Sequence, residues 1–290
     1  MKIKVLLVLL LCSISAFSQE KLSDETEPVK KHKLQKKGDF YFTWGYNRSW
    51  YDKSDIHFIG PNYDFTLHNV VASDRPTELG WTYINPVEIS IPQFNFRIGY
   101  FISDKYSISI GWDHMKYVVD VPQKATISGY IGSTISDPAI STNVSSGNYA
   151  GTYADGTPFE IQSDFLTFEH TDGLNFASID LERYDLLWQS KRQPKLGLTL
   201  MTGLGAGPVI PRSDVHFFGV GANHYWNLSG YGAAAKTGLN FDILSWLFLK
   251  TEFKIGFIDL QKIPTTGRSV DVAKQNIVFY ENSWCIGFKF

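Results

Sequence analysis

The chain has 290 residues, 15% of them aromatic, with a formal net charge of −2 and two cysteines. This charge argues against nucleic acid as a partner. Cys12 lies in a predicted export signal, so Cys285 would remain alone after cleavage and an intrachain disulfide is excluded.

The first 38 residues predict export. Residues 1–18 combine Lys2 and Lys4 with an apolar run and then small residues, which is the pattern of a cleaved signal peptide. The apolar run is too short for a spanning helix. Residues 19–38 are polar and rich in lysine, and they predict a disordered periplasmic leader. Residues 39–290 would then form the folded domain.

The folded domain carries eight runs in which apolar and polar residues alternate, the pattern of half-buried β-strands. In one run Ile108 and Ile110 alternate with Ser107 and Ser109. The last run places Phe290 at its end, as the final strand of outer-membrane barrels does. The runs cover residues 39–51, 93–103, 106–118, 174–188, 195–205, 229–241, 247–259 and 276–290.

Alternation of this kind fits either a soluble β-sandwich or a closed membrane barrel. The run at 247–259 favours the barrel. Its apolar face would meet lipid, while Lys250, Glu252 and Lys254 on the other face would pair inside a narrow lumen. With the export signal, the sequence predicts a transmembrane β-barrel in the outer membrane of a Gram-negative bacterium.

Connections of two lengths separate the runs and set the topology. Short turns at 103–105, 189–194 and 242–246 alternate with long loops at 52–92, 119–173, 206–228 and 260–275. Small outer-membrane barrels have short periplasmic turns and long outer loops. We therefore predict an all-β, eight-stranded antiparallel up-and-down barrel, with a lumen filled by side chains rather than a pore.

On this topology, ionisable residues gather at the outer ends of two strands. By parity Asp113 would point into the lumen, whereas His114 would face the lipid headgroups unless a bulge re-aims it. The segment 168–175 adds a second group beside Gly173. This candidate cluster comprises Asp113, His114, Glu169, His170, Asp172 and Asn175.

Several chemistries fit this cluster. His114 and His170 with Asp113 or Asp172 could supply the two imidazoles and one carboxylate of a transition-metal site. A hydrogen-bonded cluster that pins the loops to the barrel is the structural alternative. A barrel acyl hydrolase, with a Ser–His–acid arrangement, is a third possibility. Its candidate nucleophiles are Ser54, Ser213 and Ser229.

Several segments, in the same order along the chain, resemble the lipid A oxidase family of small outer-membrane barrels. The stretch 168–175, with Thr171-Asp172-Gly173-Leu174-Asn175, is similar to that family's Phe-x-x-Thr-Asp-Gly-Leu-Asn. The remaining matches are 45–47, 62–65, 92–100, 113–116, the Gly-rich 203–211 and 252–254.

The resemblance implies oxidation of the proximal glucosamine of lipid A to 2-aminogluconate by molecular oxygen. Oxygen reacts with a sugar through a metal or an organic redox cofactor, and the sequence has no dinucleotide fingerprint. A divalent transition metal at His114, His170 and Asp172 is therefore the candidate cofactor. Cations expected to bind the phosphates of lipopolysaccharide are Arg48, Arg75, Lys116 and Arg212.

Two functions remain open on the sequence. The first is an enzyme that modifies lipid A, most simply by oxidation, with the six cluster residues lining its site. The second is a non-catalytic surface barrel whose loops bind or shield. In both cases we expect a monomer in contact with outer-membrane lipid and lipopolysaccharide, and no nucleic-acid partner.

Overall fold

The computed structural model describes residues 33–133, 146–218, 220–221 and 225–290. The predicted signal peptide and residues 19–32 of the predicted leader lie outside the described residues. The end of that leader is described and contacts the barrel: the Lys37 backbone N–H donates to Asp104 Oδ1 (3.0 Å), and Lys289 Nζ donates to the Leu34 carbonyl (2.8 Å). In the described ranges, no helix is long and apolar enough to cross a membrane.

The described part of the chain is built from strands, with short 3-10 helices at Trp81–Tyr83 and Ser146–Asn148. In chain order the strands are β1 (Phe40–Tyr51), β2 (Ser54–Gly60), β3 (Tyr63–Val70), β4 (Ala72–Ser73), β5 (Phe94–Phe101), β6 (Tyr106–Val119), β7 (Gln123–Ile131), β8 (Gly151–Ile161), β9 (Leu166–Gln189), β10 (Gly197–Val209), β11 (Arg212–Phe217), β12 (Val220–Gly221), β13 (Tyr225–Trp226), β14 (Gly230–Asp242), β15 (Leu247–Pro264) and β16 (Val272–Lys289).

Eight of these strands form a closed antiparallel ring in the order β1, β5, β6, β9, β10, β14, β15, β16. The ring closes because β1 pairs with β16 from Tyr41↔Lys289 to Tyr51↔Phe279, as well as with β5. The predicted fold is confirmed: each ring strand overlaps one of the eight alternating runs, and short turns alternate with long connections. Closed barrels of this form span Gram-negative outer membranes, which is the predicted location.

The side chains alternate between lipid and lumen as the pleat requires. On the outer face Ile110, Ile179 and Leu204 are each about two-thirds exposed, at 64%, 65% and 67%. On the inner face of β6, Ser107 and Ser109 are buried. Apolar side chains left this exposed belong in hydrocarbon, where their burial stabilises the barrel.

The lumen is filled by one network of buried ion pairs. Lys254 Nζ lies 2.6 Å from Asp113 Oδ2 and 2.9 Å from Glu281 Oε1. Lys250 Nζ lies 2.7 Å from Glu252 Oε2, which confirms the pairing predicted for the inner face of β15. The other members of the network are Arg97, Asp180, Glu182 and Lys236.

Four aromatic residues and a methionine close the lumen at its periplasmic end. Tyr41, Phe101, Tyr184, Met201 and Phe248 form a buried cluster there. The hydroxyls of Tyr41 and Tyr184 both donate to Glu182 Oε2, so this cluster is bonded to the ion-pair network above it. The barrel interior is therefore packed, as predicted for eight strands, and offers no open channel through the part that the structure describes.

The long outer connections carry regular structure that the sequence-based prediction treated as loops. Beyond the membrane, β2 adds to the outer end of β16, and β3, β7 and β8 follow it in the same sheet. On the other side β11 adds to the outer end of β9. We call β2, β3, β7 and β8 the outer sheet.

A second apolar core lies beneath the outer sheet, directly above the lumen network. Phe58 stacks on Phe65 (5.0 Å between ring centroids) and on Phe217 of β11 (5.4 Å), and all three are buried. Phe165 and Phe218 pack against them. Burial of this kind stabilises each side chain by about 2 kcal/mol, so the outer sheet is held rigidly on the barrel.

Replacing Lys254 by methionine should destabilise the barrel. The substitution leaves the buried carboxylates of Asp113 and Glu281 without their nearest cation, at a cost of about 3 kcal/mol. Denaturant unfolding in detergent micelles, followed by tryptophan fluorescence, measures the change. Lys105→Met is the matched control, since Lys105 pairs with Asp185 in an exposed position. Equal stability of the two variants would contradict a structural role for the network.

Candidate functional site

His114 and Asn175 form the centre of a polar site on the outer, lipid-facing side of the barrel. They lie directly opposite each other on β6 and β9, and His114 Nδ1 lies 2.8 Å from Asn175 Oδ1. His114 also stacks on Phe94 of β5, with 4.9 Å between the rings. Both site residues are buried in spite of their outward parity, because neighbouring chain covers them.

Hydrogen bonds fix the orientation of the Asn175 amide. Its Oδ1 accepts from the indole N–H of Trp112 (3.1 Å), a group that can only donate. Its Nδ2 donates to the carbonyls of Gly173 (3.3 Å) and Ile210 (3.1 Å). The oxygen therefore faces His114, so a neutral His114 carries its proton on Nδ1. The lone pair is then on Nε2, which has no partner among the described residues.

A bulge in β9 provides the cover. Tyr117 pairs with His170 and Met115 pairs with Leu174, so residues 171–173 all stand opposite Lys116 alone. Gly173 has φ +129°, and a Cβ there would lie 2.7 Å from His114 Nδ1. Only glycine allows the chain to pass this close to the imidazole. The sequence analysis allowed for a bulge that re-aims His114; the bulge observed lies in β9 and covers His114, which keeps its outward parity.

Charged residues surround this centre. Lys116 Nζ donates to Thr77 Oγ1 (3.2 Å), and Asp74, Arg75 and Asp172 act on it electrostatically. Arg212 Nε lies 3.7 Å from Asp172 Oδ2. We call His114, Asn175 and these surrounding charges the rim patch. Its further ion pairs are Arg75 Nη1 with Glu169 Oε2 (2.9 Å) and Arg48 Nε with Asp74 Oδ2 (2.6 Å).

Two predicted site residues lie on the other face of the sheet. Asp113 points into the lumen, as its parity predicted, and there it pairs with Lys254 and Arg97. His170 is fully buried in the outer core, with Phe168 at 5.2 Å and Tyr117 at 5.8 Å between ring centroids. Neither residue contacts the rim patch. The structure thus brings together His114, Glu169, Asp172 and Asn175 from the predicted cluster.

The residues predicted to hold a transition metal do not fit that role. His114 faces outward and His170 faces the outer core, so their imidazoles cannot bind one ion with Asp172. Both ring nitrogens of His170 are buried without a hydrogen-bond partner. In the ranges that the structure describes, no group of three or more His, Cys, Asp or Glu residues is arranged to hold a metal.

The serines considered for a hydrolase lie apart from histidine. Ser54 Oγ is buried against Tyr117 and Gln275, Ser213 Oγ is buried, and Ser229 Oγ accepts from Asn227. Among the described residues, Ser128 does contact a histidine, His68, and the sequence-based prediction missed it. The sequence feature that could have placed Ser128 on a strand is the alternation of apolar and polar residues over 123–131, which resembles that of the barrel strands.

No protein-family model and no curated protein matches the sequence. Solved structures with a similar shape include OprG from Pseudomonas aeruginosa, with 11% identity, a TM-score of 0.39 and coverage of 88% of this chain and 97% of that one. Neisserial surface protein A has 10% identity, a TM-score of 0.35 and coverage of 88% and 100%. Ail of Yersinia pestis has 10% identity, a TM-score of 0.31 and coverage of 88% of this chain and 99% of that one. Scores this low support no inference about function, and the fold assignment depends on this chain's own strand pairing.

Protonation of His170 should destabilise the protein in acid. His170 precedes the predicted barrel run 174–188 and lies beyond the bulge, at the outer end of β9, and burial lowers its pKa from 6.5 to about 3. The unfolded chain therefore binds this proton first, so stability falls as the pH drops below about 6.5 and the loss is complete near pH 3.

His170→Phe should remove this part of the acid sensitivity, because it replaces the imidazole by an apolar ring in an aromatic environment. Unfolding midpoints measured in detergent between pH 7 and pH 3 test the prediction. His216, a half-buried histidine whose side chain is 39% exposed, is changed to Gln as the control. A His170→Phe variant with an unaltered pH profile would show that the imidazole is not buried as described.

Proposed function

We propose that the protein modifies lipid A in the outer leaflet, at the rim patch. The observation that carries the proposal is the position of His114 Nε2. It lies on the lipid-facing side of the barrel, near Trp112, whose indole donates to Asn175. Indoles at the outer ends of barrel strands are typical of the level where hydrocarbon meets headgroups. A lipid in the outer leaflet would approach this side of the barrel laterally, without entering the sealed lumen, and would contact the imidazole once the chain that covers His114 moves aside.

The cations of the rim patch support binding of a phosphorylated headgroup. Lys116, Arg75 and Arg212 surround His114 on the same face, and Arg48 lies beyond them. Each arginine already contacts a carboxylate, so phosphate would compete with those pairs. Because arginine offers several N–H donors, it can hold one phosphate oxygen and keep its carboxylate.

The hydrogen bond between His114 and Asn175 supports proton transfer. Asn175 keeps the proton of a neutral imidazole on Nδ1 and leaves Nε2 as the acceptor. His114 would then take the proton of a sugar hydroxyl, which is a step in oxidation of an alcohol or hemiacetal. Asp172, close to both Lys116 and His114, would stabilise the imidazolium that forms.

The resemblance of 168–175 to the lipid A oxidases makes oxidation of the proximal glucosamine to 2-aminogluconate by molecular oxygen the reaction we propose. The C1 hemiacetal gives two electrons and two protons to oxygen, which forms hydrogen peroxide, and water adds to the resulting lactone to supply the oxygen atom that the sugar gains. The metal ligands expected from the sequence do not converge, so we assign no step to a metal. The roles proposed for chain residues are binding by the cations, proton transfer by His114 and orientation of His114 by Asn175.

His114→Gln should abolish the modification. Glutamine keeps a polar side chain of similar size but cannot accept and return a proton, and losing a general base costs about a hundredfold or more in rate. Mass spectrometry of lipid A from cells that express the wild type or the variant would detect the product as a gain of one oxygen atom.

His216→Gln is the matched control, because His216 also lies in the outer region but contacts Asp214 rather than the rim patch. Its lipid A should equal that of the wild type. If lipid A is the same with and without the wild-type gene while the barrel is folded in the outer membrane, the enzymatic proposal fails. The non-catalytic surface barrel then becomes the better description.

Lys116→Met should weaken lipopolysaccharide binding without unfolding the barrel. Lys116 is half-buried and its ammonium is the cation that acts electrostatically on His114, so its loss removes one phosphate partner. Titration of lipopolysaccharide into the detergent-solubilised barrel at low and moderate salt measures the change. Lys105→Met, at the periplasmic turn, should bind as the wild type does.

A further inference from the structure

The outer sheet carries a three-residue arrangement away from the rim patch. His68 Nδ1 lies 2.9 Å from Asp55 Oδ2, and His68 Nε2 lies 2.8 Å from Ser128 Oγ. The carboxylate is itself held, since its Oδ1 accepts from the backbone N–H of Asn69 (2.9 Å). One imidazole thus connects a fixed carboxylate to a hydroxyl through its two nitrogens.

Strand order and parity explain why these residues meet. Asp55, His68 and Ser128 belong to β2, β3 and β7, which are neighbours in the outer sheet. The residues beside them, Ile56 and Leu67 among others, face the outer core. All three polar side chains therefore lie on the solvent face of adjacent strands, within reach of one another.

Two local irregularities of the backbone position the Asp55 carboxylate and the Ser128 hydroxyl. The pairing of β2 with β3 shifts next to Asp55, where Asn69 has a left-handed backbone with φ +58°. That turn aims the Asn69 N–H at the carboxylate. The pairing of β7 with β8 shifts at Ser128, which precedes Gly129 with φ +108°. Bulges re-aim side chains from their regular directions, and they occur often at active sites.

The order of the contacts has a chemical meaning. A carboxylate only accepts hydrogen bonds, so Asp55 holds the proton of a neutral His68 on Nδ1. The lone pair on Nε2 then faces the Ser128 hydroxyl. Carboxylate, imidazole and hydroxyl in this order activate serine for acyl transfer, whatever the fold that carries them. We propose that Ser128, His68 and Asp55 form a second site, which hydrolyses carboxylic esters at the cell surface.

A neighbouring pair shows what is distinctive about the second site. His57 Nε2 lies 2.7 Å from Asp64 Oδ1 on the same sheet face. The structure gives His57 no hydroxyl partner among the described residues. An Asp–His contact alone is thus an ordinary feature of this surface, and the serine on the other imidazole nitrogen sets His68 apart. His57 is therefore a matched internal control.

The second site is open to solvent. The His68 side chain is 24% exposed, Ser128 is half-buried, and Tyr130, on the same face of β7, is 43% exposed. The carboxylate of Asp155 lies 3.8 Å from His68 Nε2, where it would stabilise an imidazolium. An open site with one aromatic side chain fits a small acyl group better than a long lipid chain.

The reaction balances with water as the only co-reactant. Ser128 Oγ bonds to the ester carbonyl carbon while its proton moves to His68 Nε2. The bond from that carbon to the alcohol oxygen then breaks, and the alcohol leaves with the proton from His68. Water repeats the sequence on the acyl-serine, which releases the carboxylic acid and restores the Ser128 hydroxyl.

The test uses the full-length protein folded in detergent micelles. Hydrolysis of p-nitrophenyl acetate and p-nitrophenyl butyrate is followed by absorbance, and a fluorophosphonate probe is used to label an activated serine. The labelled residue is identified by mass spectrometry of peptides. The variants are Ser128→Ala, His68→Gln and Asp55→Asn, with His57→Gln as the control.

The expected result is labelling at Ser128 and ester hydrolysis that falls about a hundredfold or more in Ser128→Ala and His68→Gln. His57→Gln should hydrolyse and label as the wild type does. Folded wild-type protein that is not labelled at Ser128, or hydrolysis that persists in Ser128→Ala, overturns the proposal. Because this site and the rim patch share no residue, each proposal stands or fails alone.

Discussion

Every strand that crosses a bilayer needs a hydrogen-bonded neighbour on both sides, because hydrocarbon offers no partner to a free backbone edge. The pairing of β1 with β16 meets this requirement and makes the ring continuous. Closure with eight strands leaves an interior only as wide as its side chains. Charged residues can occupy it because each finds an opposite charge, as Lys254 does with Asp113 and Glu281.

A packed interior moves any chemistry to the outside of the barrel. Ion pairs fill the lumen and the outer core caps it, so a substrate has two kinds of surface to approach. The rim patch around His114, on the lipid-facing side of the barrel, is the site that we propose for a lipid headgroup. The solvent face of the outer sheet, with His68, suits a soluble ester. The two proposed sites differ in substrate because they face different media.

The sequence predicted the ring strands well because lipid and lumen impose opposite polarity on successive residues. The predicted run 93–103 compares with Phe94–Phe101, and 247–259 with Leu247–Pro264. The outer sheet was missed although 54–60 and 63–70 alternate in the same way. Long connections in such barrels are usually loops, and local alternation does not reveal which distant strand a segment will join.

The candidate site was only partly predictable. The alternation of side chains along the sequence places His170 on the same inward face as Leu174 and Phe176. The bulge does not change this, because it adds two residues to β9 and so preserves the alternation. The burial of His114 could not be read from sequence, since it depends on the path of the bulge around Gly173. The contacts of His68 depend on the order of strands in the outer sheet, which is a tertiary property.

The outer sheet ends at β8, and the far edge of this strand bears on how neighbouring molecules can associate. β8 pairs with β7, and the described residues supply no neighbour for its other edge. Such an edge invites strands from adjacent molecules to add on and build fibres. Pro158 lacks an N–H and Gly156 has φ +78°, so the ladder that an incoming strand would need is interrupted twice. These two interruptions disfavour the addition of strands from adjacent copies of this barrel.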